Sequence, residues 1–429
     1  MIAGQSNISR LANTPAKAIT PFFAYAAISF AIACLMLIFS AEALLRHYLN
    51  PEIIAITHVL TLGWVTMIIF GAVNQLLPVL IESGIYSIKL IFITFAFSSV
   101  AIPMLVYSFY NFNMGNLAMF SALLLLTSIF IFLVNIALSI YRSKTENIHA
   151  IFVFTSAIWL LVTGVTGFLQ VYNFSEVLLS NNSFYYLPFH AFSGICGWFL
   201  LLVIGIGSRL IPMFLISKYS NHKLLWTIFI LINSGMVIFV FFFLKSFKTF
   251  WYFLPLSLVF IAVIMFGYFC LQSFKQRIRK VVEPQLKISL ISVASIAIPV
   301  ILISCLIAIT NNLHFELKLI SLYGFIVFFV CLSLLILGMT FKTLPFIIWN
   351  KEYGKLAGKF QTPTPKEIYS NNIFNVMIVI YCFAIFAFTT GLIFSIIEII
   401  QIAASLMFIS SVLYNFNVFK LIFHKAKIS

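Results

Sequence analysis

The chain has no aspartate, and only 8 % of its 429 residues carry a charge of either sign. A water-soluble domain is excluded at once, because 63 % hydrophobic residues and a mean hydropathy of +1.13 leave too little polar surface to cover a core. The six cysteines (Cys34, Cys196, Cys270, Cys305, Cys331 and Cys382) fall inside apolar runs and form no Cys-x-x-Cys pair. They look like small buried apolar residues rather than a disulfide or zinc framework. No glycine-rich phosphate loop is present. Within the apolar runs the polar residues are scattered Ser, Thr, Asn and Gln, with Glu42 and Glu82 near run ends. A proton pump needs a continuous polar chain, so pumping is disfavoured.

What is present is a succession of apolar runs, each long enough to cross roughly 30 Å of hydrocarbon. Twelve spans are expected, at about 21–45, 53–81, 85–109, 114–141, 148–174, 184–217, 223–245, 249–274, 285–310, 318–349, 372–397 and 398–423, with the last two separated by a turn near Glu398. Backbone groups in lipid must be satisfied within each segment, so the spans should be helices. They lack the alternating polarity of barrel strands. The first span resembles a secretory leader, with "SAEA" at 40–43 as a cleavage-like site. Its length and the mostly polar residues before it mark it instead as a retained helix.

The net charge of +15 is unevenly distributed. Basic residues lie at Arg10 and Lys17, at Arg142 and Lys144, at Lys218 and Lys223, in "KQRIRK" at 275–280, at Lys351, Lys355, Lys359 and Lys366, and in the C-terminal tail. Those are alternate loops. The others hold Arg46, Lys245, Lys248 and Lys318 together with Glu52, Glu176, Glu316 and Glu398. The positive-inside rule places segment 1–20, the tail 424–429 and the basic loops in the cytoplasm. Basic loops of this kind meet anionic lipid and set topology; a nucleic-acid surface is not indicated.

Three runs end alike: "GAVNQLLP" at 71–78, "GIGSRLIP" at 205–212 and "GMTFKTLP" at 338–345. The spacing between the prolines is 134 and then 133 residues, which with twelve spans means four helices per repeat: about 21–145, 146–280 and 281–423. The repeated ending belongs to the second helix of each quartet. A polar residue stands three before each proline, Gln75, Arg209 and Lys342, and the first two copies share Gly63–Trp64 and Gly197–Trp198. Arg209 and Lys342 are expected to snorkel to inner headgroups, with a proton or anion path as the alternative. Twenty residues before the proline stand His58, Phe192 and Phe325; twenty-two before it stand Ile56, His190 and Tyr323. Two residues on a helix are about 200° apart, so the two registers face nearly opposite sides and serve different pockets. His58 lies about 30 Å of helix rise from Pro78, near the outer face. The remaining histidines, His47, His149, His222, His314 and His424, fall at span ends or in loops and are expected to be solvated.

A parallel three-fold repeat is unlike most secondary transporters. The chain resembles subunit I of the heme–copper oxidase superfamily, a twelve-helix bundle with pseudo-three-fold symmetry. "THVLTLGWVTMIIFGAVNQLLPVL" is similar to that family's helix 2, and the resemblance implies that His58 is an axial heme ligand. "FHAFSGICGWF" is similar to helix 6, which implies copper or another metal at His190. "LYGFIVFFV" is similar to helix 10, but Tyr323 and Phe325 stand where the family has two histidines. The span 223–245 has no histidine, and Gly194 stands where many oxidases have a tyrosine. The implied fold is an all-α integral membrane bundle in three four-helix repeats, in a bacterial cytoplasmic membrane. The implied function is heme binding in electron transfer or a nitric-oxide-related role, as in short NnrS-type members, with respiratory subunits or a cytochrome as partners. The oxygen-reducing metal set is incomplete. The alternative is a metal-free descendant acting as a scaffold, an assembly factor or a permease. Tyr323, Arg209 and Lys342 are the further polar candidates.

Overall fold

A computed structural model describes residues 14–143, 147–308 and 313–426, with the side chains of 313–316 left aside. Arg10, Lys144, most of segment 1–20, the end of the tail, and the side chains of His314 and Glu316 therefore lie outside the described residues. Among the described residues there is no strand, and twelve helices are long and apolar enough to cross a membrane. They are α1 (Ala16–Phe39), α2 (Pro51–Leu80), α3 (Ile88–Tyr110), α4 (Asn116–Arg142), α5 (Ile148–Ser175), α6 (Ser183–Leu215), α7 (His222–Leu244), α8 (Thr249–Lys275), α9 (Pro284–Ala308), α10 (Leu317–Tyr353), α11 (Asn371–Phe394) and α12 (Ile397–Ile422). This is a multi-pass membrane protein.

Two boundaries differ from the hydropathy reading. The first helix begins at Ala16, directly after Pro15 in extended conformation, and the chain breaks at Ser40 before a short helix at Ala41–Arg46. The turn between α11 and α12 falls at Ser395, whose φ of 56° is left-handed, so Glu398 is already in the first turn of α12. There its carboxylate faces the positive end of the helix dipole. Hydropathy locates an apolar run, but caps and backbone angles set where a helix stops.

Helix contacts use small and polar side chains, as expected where lipid supplies no hydrophobic drive between helices. Between α3 and α4, the Ser98 and Ser128 hydroxyls are 2.7 Å apart and Ser128 donates to the Thr94 carbonyl at 2.9 Å. The glycine seven residues before each repeat proline lies under a crossing helix. A Cβ on Gly71 would sit 3.1 Å from Phe22 of α1, one on Gly205 2.4 Å from Phe152 of α5, and one on Gly338 2.4 Å from Ser289 of α9. In every case the crossing helix is the first of the same quartet, which is the physical reason for glycine at that place.

The three repeat helices also share a feature invisible to hydropathy. Each widens to a π-helical turn, at Val59–Thr66 in α2, Ser193–Leu200 in α6 and Ile326–Ser333 in α10. All three turns begin nineteen residues before the repeat proline and end twelve before it. Single π turns of this kind often mark functional sites.

Candidate functional site

The π turns bring the centres of the helices together through side-chain hydrogen bonds. Trp64 of α2 donates its indole N–H to the Ser333 hydroxyl of α10 at 3.0 Å, and Trp198 of α6 donates to the Thr66 hydroxyl of α2 at 3.3 Å. Each tryptophan is fourteen residues before its proline and each acceptor twelve before its own. The same count pairs Cys331 of α10 with Leu200 of α6, which has no hydroxyl. Both of these residues line a cavity of about 680 Å³.

A smaller cavity, about 180 Å³, lies among α2 to α6, with Phe328 of α10 also in its wall. His58 enters it from α2 and His190 from α6, with ring centres 6.4 Å apart and planes inclined by 25°. The expectation that the two registers face different pockets holds along one helix. It misses that the register twenty before the proline on α2 meets the register twenty-two before it on α6, so the two-residue offset between these histidines makes them converge. Tyr323 and Phe192 are brought together by the same count, both lining the larger cavity. For the remaining combination, Phe325 with Ile56, the ring of Phe325 stacks on Phe388 at 4.3 Å and 8° and on Phe329 at 5.2 Å. Phe325 thus belongs to aromatic packing away from His58.

The orientation of both imidazoles is fixed from the backbone. His58 Nδ1 lies 2.7 Å from the Ile54 carbonyl, and His190 Nδ1 lies 3.1 Å from the Thr163 carbonyl. A carbonyl oxygen only accepts, so each Nδ1 carries the proton and each Nε2 keeps a free lone pair. Metal-binding histidines are held in this way. Thr166 Oγ1, 3.4 Å from His190 Nδ1, and Gly167, where a Cβ would fall 2.9 Å from His190 Cε1, complete the cradle on α5. Phe109 packs on His58 at 4.5 Å. Among the described residues the rest of the lining is apolar or threonine, with no charged side chain.

Two imidazoles with free Nε2 atoms would have the donor chemistry to hold a heme iron or another metal ion. They do not supply the several imidazoles of an oxygen-reducing copper site: among the described residues no three of His, Cys, Asp and Glu converge on one point.

Other candidates fall elsewhere. Arg209 is exposed, three residues before Pro212 near the C-terminal end of α6. Lys342 is largely buried. Its ammonium pairs with Glu283, at the start of α9, with side-chain exposures of 11 % and 12 %. Glu283 also accepts from Lys366 and, at 3.1 Å, from Arg279. A carboxylate one helix away was the partner that hydropathy could not supply. Burial alone would raise the Glu283 carboxyl, but hydrogen bonds from Lys342 and Lys366 outweigh it and hold it below the usual range. His149 is buried rather than solvated, with Nδ1 at 2.9 Å from the Ser208 hydroxyl and 3.1 Å from the Gly205 carbonyl. His424 is not simply solvated either: its Nε2 lies 2.9 Å from the Tyr353 hydroxyl. Cys305 and Cys382 are exposed, whereas the other four cysteines are buried.

No protein-family model matches the chain, and no curated protein sequence matches it either.

Proposed function

We propose that the chain is a pseudo-three-fold, twelve-helix bundle related to heme–copper oxidase subunit I, and that His58 and His190 together bind one heme iron for electron transfer or nitric-oxide-related chemistry. The observation that carries this reading is the pair of backbone-anchored imidazoles with ring centres 6.4 Å apart inside one mainly apolar cavity. The matched registers of the glycines, π turns and tryptophan bonds support the three-fold arrangement. The alternation of basic loops supports an orientation with both termini in the cytoplasm of a bacterial inner membrane.

In this reading the protein's own work is ligation and exclusion. The Ile54 and Thr163 carbonyls hold each ring in the ligating tautomer, and the Gly167 gap admits the His190 ring. Phe109, Phe168, Trp198 and the surrounding leucines keep water from the site, which favours a fixed coordination and tunes potential. When bound, the heme supplies one-electron chemistry. Were a heme bound, His58 and His190 would be the residues to hold its iron, and electron transfer would be the chemistry two such ligands favour.

A second reading has its own support. Among the described residues the cavity lining offers no Arg or Lys to meet heme propionates, which favours a bare soft ion such as copper(I) between the two imidazoles. One experiment separates these. The purified protein, expressed with ample heme and copper, is examined by oxidised and dithionite-reduced spectra, pyridine hemochrome and a copper assay. A stoichiometric heme band lost in both His58→Ala and His190→Ala, and kept in the exposed control His222→Ala, supports the first reading. A colourless protein with one copper, lost in the same variants, replaces heme by the ion. A colourless, metal-free protein sinks both and leaves a scaffold or permease.

A further inference from the structure

The ion cluster around Glu283 has no part in the histidine site. Its one carboxylate meets three cations: Lys342 of α10, Lys366 of the connection between α10 and α11, and Arg279 of the connection between α8 and α9. Among the described residues no other acid pairs with them. Glu367, beside Lys366, turns its carboxylate to the Thr364 N–H at 2.9 Å. Three cations against one carboxylate leave two positive charges in excess. Lys342 and Glu283 are nearly buried, whereas Arg279 and Lys366 are 35 % and 57 % exposed, so the excess lies on the outside of the cluster.

These cations are held in place. The segment after α8 is tied to the end of α6: the Ile278 N–H donates to the Ile216 carbonyl at 3.1 Å, and the Arg279 N–H to the Leu215 carbonyl at 3.4 Å. Charges fixed in advance lose little freedom when they meet a ligand. The same segment leaves Ile278 and Val281 exposed on either side of Arg279 and Lys280, Val281 by 80 %. Aliphatic and basic side chains placed together suit the level at which headgroups meet hydrocarbon. Lys287, one turn into α9, is exposed. Ile291 and Ile298 lie one and three turns beyond it and are exposed as well. Spacings of four and seven put them on one helix face, so an open aliphatic strip runs away from the basic cluster.

We propose that this cluster docks one anionic phospholipid, its phosphate among Arg279, Lys366 and Lys287 and an acyl chain along Ile291 and Ile298 of α9. Charge complementarity selects the headgroup, because a zwitterionic lipid brings its own cation to a place that already has two in excess. The aliphatic strip selects a lipid over a free phosphate. Glu283 spaces and orients the cations from behind. The result is one lipid at one place, in contrast to the diffuse attraction that any basic loop exerts. The proposal stands independently of metal binding at His58 and His190.

The test uses the full-length chain in dodecyl maltoside, titrated with palmitoyl-oleoyl phosphatidylglycerol and followed by native mass spectrometry, with the phosphatidylcholine of the same chains as the reference. One phosphatidylglycerol per chain is expected to bind roughly twentyfold tighter than phosphatidylcholine, about fivefold for each excess charge. Arg279→Gln, Lys366→Gln and Lys287→Gln are each expected to weaken it roughly fivefold and to leave phosphatidylcholine unchanged. The double variant Lys223→Gln/Lys420→Gln removes two exposed cations from α7 and α12 and is expected to bind as the wild type does. Lys287→Gln leaves every pair of Glu283 in place, so it decides alone should the other two variants not fold. Equal affinity for the two lipids overturns the proposal, and so does unchanged affinity in Lys287→Gln. Equal weakening by Lys223→Gln/Lys420→Gln overturns it too, in favour of a diffuse basic surface. Displacement of the lipid by inorganic phosphate would assign the cations to a free anion and overturn the lipid as occupant.

Discussion

At the scale of single residues, the histidine pair depends on a missing methyl group. A Cβ at position 167 would fall 2.9 Å from His190 Cε1 and push the ring from its place beside the Thr163 carbonyl. Gly167→Ala is therefore expected to lower metal occupancy about tenfold, the scale of a disturbed supporting contact, while the protein still folds. Metal content per chain together with thermal stability checks this, and equal loss of both would mean a general packing defect. The histidines themselves were legible in the sequence as intramembrane polar residues. Their convergence was not, because it depends on which helix stands beside which. The cradle on α5, Thr163, Thr166 and Gly167, carried no signal of its own: two threonines and a glycine in an apolar helix look like ordinary packing residues.

At the scale of elements, the first helix of each quartet crosses the second at the repeat glycine. Gly338 is the tightest test, because a Cβ there would meet the Ser289 hydroxyl at 2.4 Å and the Gln285 backbone carbonyl at 2.5 Å. Gly338→Ala should cost about 1–3 kcal/mol or more, since α9 must shift as a body. Gly267 in α8 has open space where its Cβ would be, and Gly267→Ala should be neutral or stabilising by up to about 1 kcal/mol through helix propensity. Unfolding in mixed detergent would rank the two variants. If they behave alike, the crossing is looser than described. The tryptophan bonds give a second test at this scale. Trp64→Phe leaves the Ser333 hydroxyl without its donor and should cost about 1 kcal/mol beyond lost packing, most of which Trp64→Phe combined with Ser333→Ala should recover. The repeat glycine and proline could be read directly from the chain. The π turns could not, because an extra residue in a helical turn leaves hydropathy unchanged.

At the scale of the whole molecule, the ion cluster around Glu283 joins the start of α9 to α10 and to the connection between α10 and α11 through Lys342 and Lys366. Because the folded carboxyl titrates below its unfolded value near 4.3, its contribution is present above that value and is lost as pH falls through the lower folded one. The wild type should thus lose stability between about pH 5 and 3. Glu283→Gln should start roughly 1–3 kcal/mol lower at neutral pH, because Lys342 stays buried without its partner, and should show a flatter acid limb. Thermal unfolding against pH would show parallel curves if the cluster contributed nothing. The expected orientation is tested at the same scale. In a background lacking native cysteines, Lys280→Cys should react with an impermeant maleimide only in inverted vesicles, and Lys248→Cys only in right-side-out ones. The reverse pattern would invert the bundle.

The sequence by itself determined that this protein crosses a membrane twelve times and that one helix pattern recurs, because burial in lipid selects on composition and length, which are properties of consecutive residues. It also singled out His58, His190 and Tyr323, since a polar side chain in an apolar run is visible without coordinates. Only the tertiary structure decided that His58 meets His190, that Phe192 and Tyr323 border a second cavity, that Lys342 pairs with Glu283, and that His149 is buried. Each of these depends on which helices are neighbours and on how far each is rotated about its axis. A π turn changes that rotation by adding a residue without altering the hydropathy of the chain that forms it.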